Sequence, residues 1–205
     1  MSVVASFHLM SKEKLDEYCR IARLLPKGTV KRKGYTRMVT RKTQNLSDFQ
    51  NQKQDDHAQF EYLQKNSTRP CEYDWSGSIL YDLMCCLKEM KNIDLMENTL
   101  DDGYGREEYV FDSAVKNKCL GQLDPSNFTE KELKYWNTHI QRERSDEMVR
   151  HAGSKLGAEQ LKRRLDFYKY CDFPEAGEAM MNGIVVIHNC LKLVDDKNVI
   201  LMEIG

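Results

Sequence analysis

MMNGIVVIHNCLKLVDDKNVILMEIG, residues 180–205, changes its period partway along. Met180, Ile184, Ile187, Leu191 and Val194 recur at steps of three and four, which places them on one face of an α-helix. Asp195, Asp196 and Asn198 close that pattern. Val199 to Ile204 then alternates as a short apolar strand. A helix that hands over to a terminal strand needs a sheet to receive it. The other end of the chain offers one. Val3, Ala5 and Phe7 alternate with Val4, Ser6 and His8 in a β-branched and aromatic run. Both strands are short, apolar and otherwise unpaired, so they are expected to pair. The expected fold class is α+β: mostly helical, with a small antiparallel sheet joining the N- and C-terminal strands.

Helices fill the space between. Ser11 is placed to cap a first helix, with Met10 and Leu15 as its hydrophobic staple. Leu15, Tyr18, Cys19 and Ala22 are in phase, and Pro26 stops the run. From Ser47 to about Lys65 the pattern is polar and Gln-rich. Ser47 with Gln50 has capping-box spacing, and Phe49, Phe60 and Leu63 give only a thin apolar face. NSTRPCEYD, residues 66–74, reads as a turn. The best amphipathic segment opens at Trp75, with Ile79, Leu83, Cys86, Leu87 and Met90 on its stripe. DDGYG, residues 101–105, is a second turn, followed by a short strand at Tyr109–Phe111. Thr129 and Glu132 form a capping box with Phe128 and Leu133 as staple. That helix carries Leu133, Trp136 and Ile140 and runs into the charged RERSDE, residues 142–147, expected in solvent. A further helix covers about 154–171 with Leu161, Leu165 and Tyr168 in phase. Pro174 suits the first turn of the last helix.

The chain has 205 residues, and a single domain, 1–205, is expected. At this length about 70% of the unfolded surface can be buried without a disulfide staple. The 31 basic and 32 acidic residues nearly cancel, so global charge selects no nucleic-acid or membrane partner. The seven cysteines are odd in number and show no CxxC. Several sit among apolar helix positions, where a free thiol acts as a small hydrophobe. A reducing, cytoplasmic location follows. Apolar runs such as Ile184–Ile187 are far short of the roughly 20 residues of a spanning helix.

Motifs for chemistry are missing from the sequence. The histidines, His8, His57, His139, His151 and His188, show no HExxH spacing. Glu147 and His151 share a helical face, the usual arrangement of a surface ion pair. His188 lies between apolar helix positions and reads as a core histidine. There is no phosphate loop and no GxSxG. The GxG at Gly103 and Gly105 is ringed by Asp101, Asp102, Glu107 and Glu108, which repel phosphate. No cofactor and no metal is expected, and an enzyme is the less favoured class.

One local signal stands out. Between residues 27 and 42, Lys27, Lys31, Arg32, Lys33, Arg37, Arg41 and Lys42 occur with Tyr35 and no acid. We read a basic arm at about 27–45, a segment for docking on an acidic protein surface or on a phosphate backbone. The partner-binding candidates are Lys31, Arg32, Lys33, Tyr35, Arg37, Arg41 and Lys42.

Three stretches carry a family resemblance. VVASFHLMSKEKLDEY (3–18) opens a strand directly onto a helix. EYDWSGSILYDLM (72–84) starts a helix after an acidic-aromatic turn. NVILMEIG (198–205) closes an apolar strand in Gly. Over about a third of its length the chain resembles the YfbM-like family of small bacterial proteins of unknown function. The resemblance implies an α+β fold with paired terminal strands and a bacterial source, and supplies no catalytic residues. It departs from the family where the Trp75 segment continues as helix and in the basic arm. Proteins of this size and style also serve as immunity partners of bacterial toxins. The expected function is therefore a cytosolic, non-enzymatic protein-interaction module of the toxin-neutralising type. Nucleic-acid binding through 27–42 is the alternative, and an enzyme with an unrecognised site is a third reading. A protein partner is expected, nucleic acid is a second candidate, and no membrane is.

Overall fold

The structure, a computed structural model, describes residues 4–22, 24–26, 57–101, 107–152 and 158–204. The elements in chain order begin with β1 (Ala5–Ser11), α1 (Lys12–Ala22) and β2 (Leu25–Pro26). Residues 57–66 form α2. Then come α3 (Gly77–Lys91), β3 (Thr99–Asp101), β4 (Glu107–Phe111), α4 (Ser113–Cys119), a 3-10 turn (Pro125–Asn127), α5 (Glu130–Ala152), α6 (Ala158–Cys171), α7 (Ala176–Leu193) and β5 (Asn198–Ile204). The five strands form one antiparallel sheet in the order β1-β5-β4-β3-β2. The terminal strands pair as expected, from Ala5 opposite Ile204 to Ser11 opposite Asn198. The α+β class holds.

Alternation along the strands builds two faces. Ala5, Phe7, Tyr109, Phe111, Ile200 and Met202 face the larger core, packed under α3, α4, α5 and α7. Met10, Val110, Val199 and Leu201 face a smaller core under α1 and α2, with Leu15, Tyr18, Ala22 and Leu63. Each fully buried Val, Leu, Ile, Phe or Met side chain among them contributes about 1.5–3 kcal/mol. β1 lies at one edge of the sheet. Thr68 bridges it once, by mutual backbone bonds with Leu9 of 2.8 and 3.0 Å. The same register sets Pro70 opposite Phe7, and proline cannot donate to a ladder, so the pairing stops there.

Capping chemistry fixes the helix starts. Ser76, Asp112 and Thr129 accept the backbone N–H groups of Ser78, Val115 and Glu132. Several expectations are corrected. Trp75 lies just ahead of α3, whose cap is Ser76, and stacks on Phe173 with ring centroids 6.0 Å apart. Met90 leaves the core stripe because α3 has passed the edge of the core there; it is 39% exposed. Pro174 precedes α7 by two residues and sits in the α6–α7 turn. Of the Gln-rich segment, α2 bears out the helix over 57–65. Ser47, Gln50 and Phe49 lie outside the described residues, and so do residues 102–105 of the DDGYG turn. Its flanks are the antiparallel strands β3 and β4.

The close approach of α7 to α5 depends on Gly177. A β-carbon there would lie 2.3 Å from the Glu130 carbonyl oxygen. At Gly183 it would press on the methyl ends of Leu83 and Leu80, at 2.8 and 2.9 Å, with Tyr73 Cε2 in ordinary contact at 3.6 Å.

Candidate functional site

The partner-binding residues expected from the sequence, Lys31, Arg32, Lys33, Tyr35, Arg37, Arg41 and Lys42, lie outside the described residues, as does the side chain of His151. The structure draws attention to two other places.

The first is the α5–α6 hairpin. The front half of α5 buries Leu133, Trp136, Asn137, Ile140 and Gln141 against α3 and α7. From Arg142 to Arg150 no side chain is buried. The second half of α5 therefore passes beyond the core, and α6 returns along it. Among the described side chains of α6 none is buried: Leu161, Leu165 and Tyr168 are only half-buried, and Glu159, Lys162, Arg163, Arg164, Asp166 and Lys169 are exposed. Val149 adds an exposed apolar side chain on α5. Arg144, Glu147, Met148 and Tyr168 line a recess of about 210 Å³ between the two helices. At its base the hairpin is fastened. Lys134 Nζ donates to Asp172 Oδ1 at 2.5 Å and to the Phe173 carbonyl at 2.7 Å, and Thr138 Oγ1 donates to Asp172 at 2.9 Å.

A buried polar contact anchors the point where α5 leaves the core. Asp82 of α3 accepts from Arg144 Nη1 at 2.5 Å and from Gln141 Nε2 at 2.6 Å. Burial pushes the Asp82 carboxyl up, against the pull of Arg144 and Gln141. The expectation that RERSDE lies wholly in solvent is thus corrected at Arg144. The long guanidinium arm reaches back to a charge inside the core, which periodicity alone does not reveal.

The second place lies beneath α1 on the smaller face of the sheet. His8 Nδ1 is 3.0 Å from Ser67 Oγ, and His8 Nε2 is 3.1 Å from Glu203 Oε2. The sequence Ser–His–Glu invites comparison with a nucleophilic triad, but the hydrogen placement argues against it. Ser67 Oγ donates its one hydrogen to the Leu63 carbonyl at 2.6 Å, so His8 Nδ1 donates to the serine. Here the imidazole clamps the residue after α2 and does not activate the hydroxyl. Glu203 and Glu108 lie directly opposite each other in the β4–β5 ladder, and Tyr18 Oη is 3.0 Å from Oε1 of each. The signal for this cluster was in the sequence. His8, Glu108 and Glu203 are polar residues at positions where strand alternation turns them toward an apolar layer.

The thiols are weak candidates for nucleophiles at neutral pH. Burial pushes Cys86 up to about 12. Burial and the charges of Glu108 and Asp16 push Cys19 up to about 11. Burial also raises Cys190, with a hydrogen-bonding contact to Cys71 adding to it. His188 is buried on α7, and its imidazole is held below 6.5 by that burial and by Lys192, against the pull of Asp124. Among the described residues no group of three or more His, Cys, Asp or Glu side chains is placed to hold a metal ion. No helix among them is long and apolar enough to cross a membrane.

Compared with protein-family models, curated proteins and solved structures, the chain shows no significant match to any.

Proposed function

We propose that this chain is a protein-interaction module and that the α5–α6 hairpin is the element that engages its partner. One observation carries the reading. A helix with apolar residues in phase at 161, 165 and 168 has none of its described side chains buried. Isolated helices of this length are marginal in water and draw their stability from packing an apolar face. A half-covered stripe on a projecting hairpin, rimmed by charges of both signs, has the character of a helical recognition face. Six free thiols among the described residues fit a reducing compartment and support a cytoplasmic setting. A toxin-neutralising role is the specific form we favour, with a bacterial enzyme as the partner whose activity the module suppresses.

The test is affinity purification from the native cells, with nuclease treatment, of the parent protein and of the Leu161→Glu/Leu165→Glu variant. A stoichiometric protein partner should survive nuclease with the parent and be lost with the variant, while helix content by circular dichroism stays the same. A partner retained by the variant would contradict the reading. A partner lost on nuclease treatment would favour nucleic-acid binding instead.

A further inference from the structure

The segment between α2 and α3 crosses from the edge of the sheet to α7. Thr68 pairs with Leu9 of β1, and the Tyr73 hydroxyl donates to the Ala179 carbonyl of α7 at 3.1 Å. A β-carbon at Gly183, one turn further along α7, would lie 3.6 Å from the Tyr73 ring. Burial alternates here as in an extended chain: Cys71 is half-buried and Tyr73 buried, while Glu72 and Asp74 are exposed. Cys71 is therefore turned to the same side as Tyr73, toward the helix. The α7 face that receives them continues from Ala179 and Gly183 through Ile187 to Cys190, at steps of four, four and three. Cys71 packs against the larger core, Cys190 is wholly buried in it, and the two thiols are in hydrogen-bonding contact. Both are free.

We propose that Cys71 and Cys190 are an oxidant-responsive dithiol, which hydrogen peroxide converts to a disulfide that ties the 67–74 segment to α7. Cys71, the half-buried thiol, is the one that a small oxidant reaches. It gives its proton to solvent, and its sulfur attacks one peroxide oxygen. The O–O bond breaks, Cys71 becomes a sulfenic acid, and the departing oxygen leaves as water. The Cys190 sulfur then attacks the Cys71 sulfur. The S–O bond breaks, and that oxygen leaves as a second water with the Cys190 proton. The peroxide gains two electrons, and the two thiols lose them in forming one disulfide.

Burial sets the order of attack. Cys190 is wholly enclosed, and burial raises its thiol, so it acts second, on a sulfur already beside it. Cys85 and Cys86 do not compete by pairing with each other, because Cα atoms of neighbouring residues, about 3.8 Å apart, are too close for an ordinary disulfide. In the reduced protein the segment is held near its ends, by the Leu9–Thr68 backbone bonds and by the Tyr73 hydroxyl. The disulfide adds a covalent tie between them. In a reducing compartment such links are transient and sense oxidant, and a thiol reverses them by exchange.

The test exposes the full reduced chain to hydrogen peroxide, blocks the remaining thiols with N-ethylmaleimide, and digests it without reductant for mass spectrometry. A peptide linked through Cys71 and Cys190 should exceed every other linked pair, and dithiothreitol should abolish it. Amides of residues 67–74 should exchange more slowly in the linked protein than in the reduced one. Cys190→Ala should accumulate a sulfenic acid on Cys71 that dimedone traps; a folded variant without that adduct overturns the order of attack. The parent decides the rest if the variant does not fold. The proposal is overturned if Cys71 stays reduced, goes to sulfinic acid without the linked peptide, or pairs with another cysteine as readily as with Cys190. Unchanged exchange at 67–74 in the linked protein overturns the tie to α7.

Discussion

Gly177 and Asp172 show how single residues set the approach of α7 and α6 to α5. Gly177→Ala would drive a methyl group against the Glu130 carbonyl, which is backbone and cannot swing away. We expect a loss of about 1–3 kcal/mol, measured by urea denaturation. Gly183→Ala should cost less, since the leucine methyl groups it meets can rotate. Asp172 gives a pH dependence. Burial works to raise its carboxyl, but the bonds from Lys134, Thr138 and Asn137 outweigh it and hold the group below its usual 3.8. A depressed carboxyl contributes stability that is present above the unfolded value and is lost as the pH falls through the folded value. Asp172→Asn should therefore be less stable than the parent at neutral pH. The gap should narrow as the pH drops below 3.8, as followed by thermal melts across an acid series. Neither residue announces itself in the sequence: Gly177 reads as an ordinary small residue, and Asp172 as a loop acid. Their partners lie 47 and 38 positions away, at Glu130 and Lys134.

Elements differ in how plainly the sequence declares them. The terminal strands were legible because alternation and isolation both pointed to the same pairing. α3, α5 and α7 were legible because their apolar stripes are long. α4 was overlooked, although Asp112 at its cap and Val115 with Cys119 four positions on are a complete short signal. β3 and β2 carry almost no local signal. One is Thr-Leu-Asp, and the other ends in a proline tolerated only at the sheet edge. They exist because β4 offers an open ladder. α6 was legible as a helix, but its three apolar residues suggested burial that the structure does not give. Its stability should be low accordingly. In the free protein, amides of α6 should exchange much faster than those of α7, whose stripe is wholly buried at Met180, Ile184, Ile187 and Leu191. Equal protection in the two helices would show that α6 is held by more than its seam with α5.

At the scale of the molecule, one sheet separates a large helical core from a small one, and the two candidate sites divide along that line. Tyr18 and the opposed Glu108 and Glu203 sit in the small layer, under α1. The hairpin leaves the large layer after Gln141, fastened by Asp82 and Asp172 at its root. That division was not legible in the sequence, because it depends on which strand faces meet which helices, and it moves the weight of the interaction reading onto α5 and α6. The most direct test is hydrogen exchange by mass spectrometry on the protein alone and in its isolated complex. The account predicts new protection concentrated in residues 142–169. Protection elsewhere, with 142–169 exchanging as in the free protein, would contradict it.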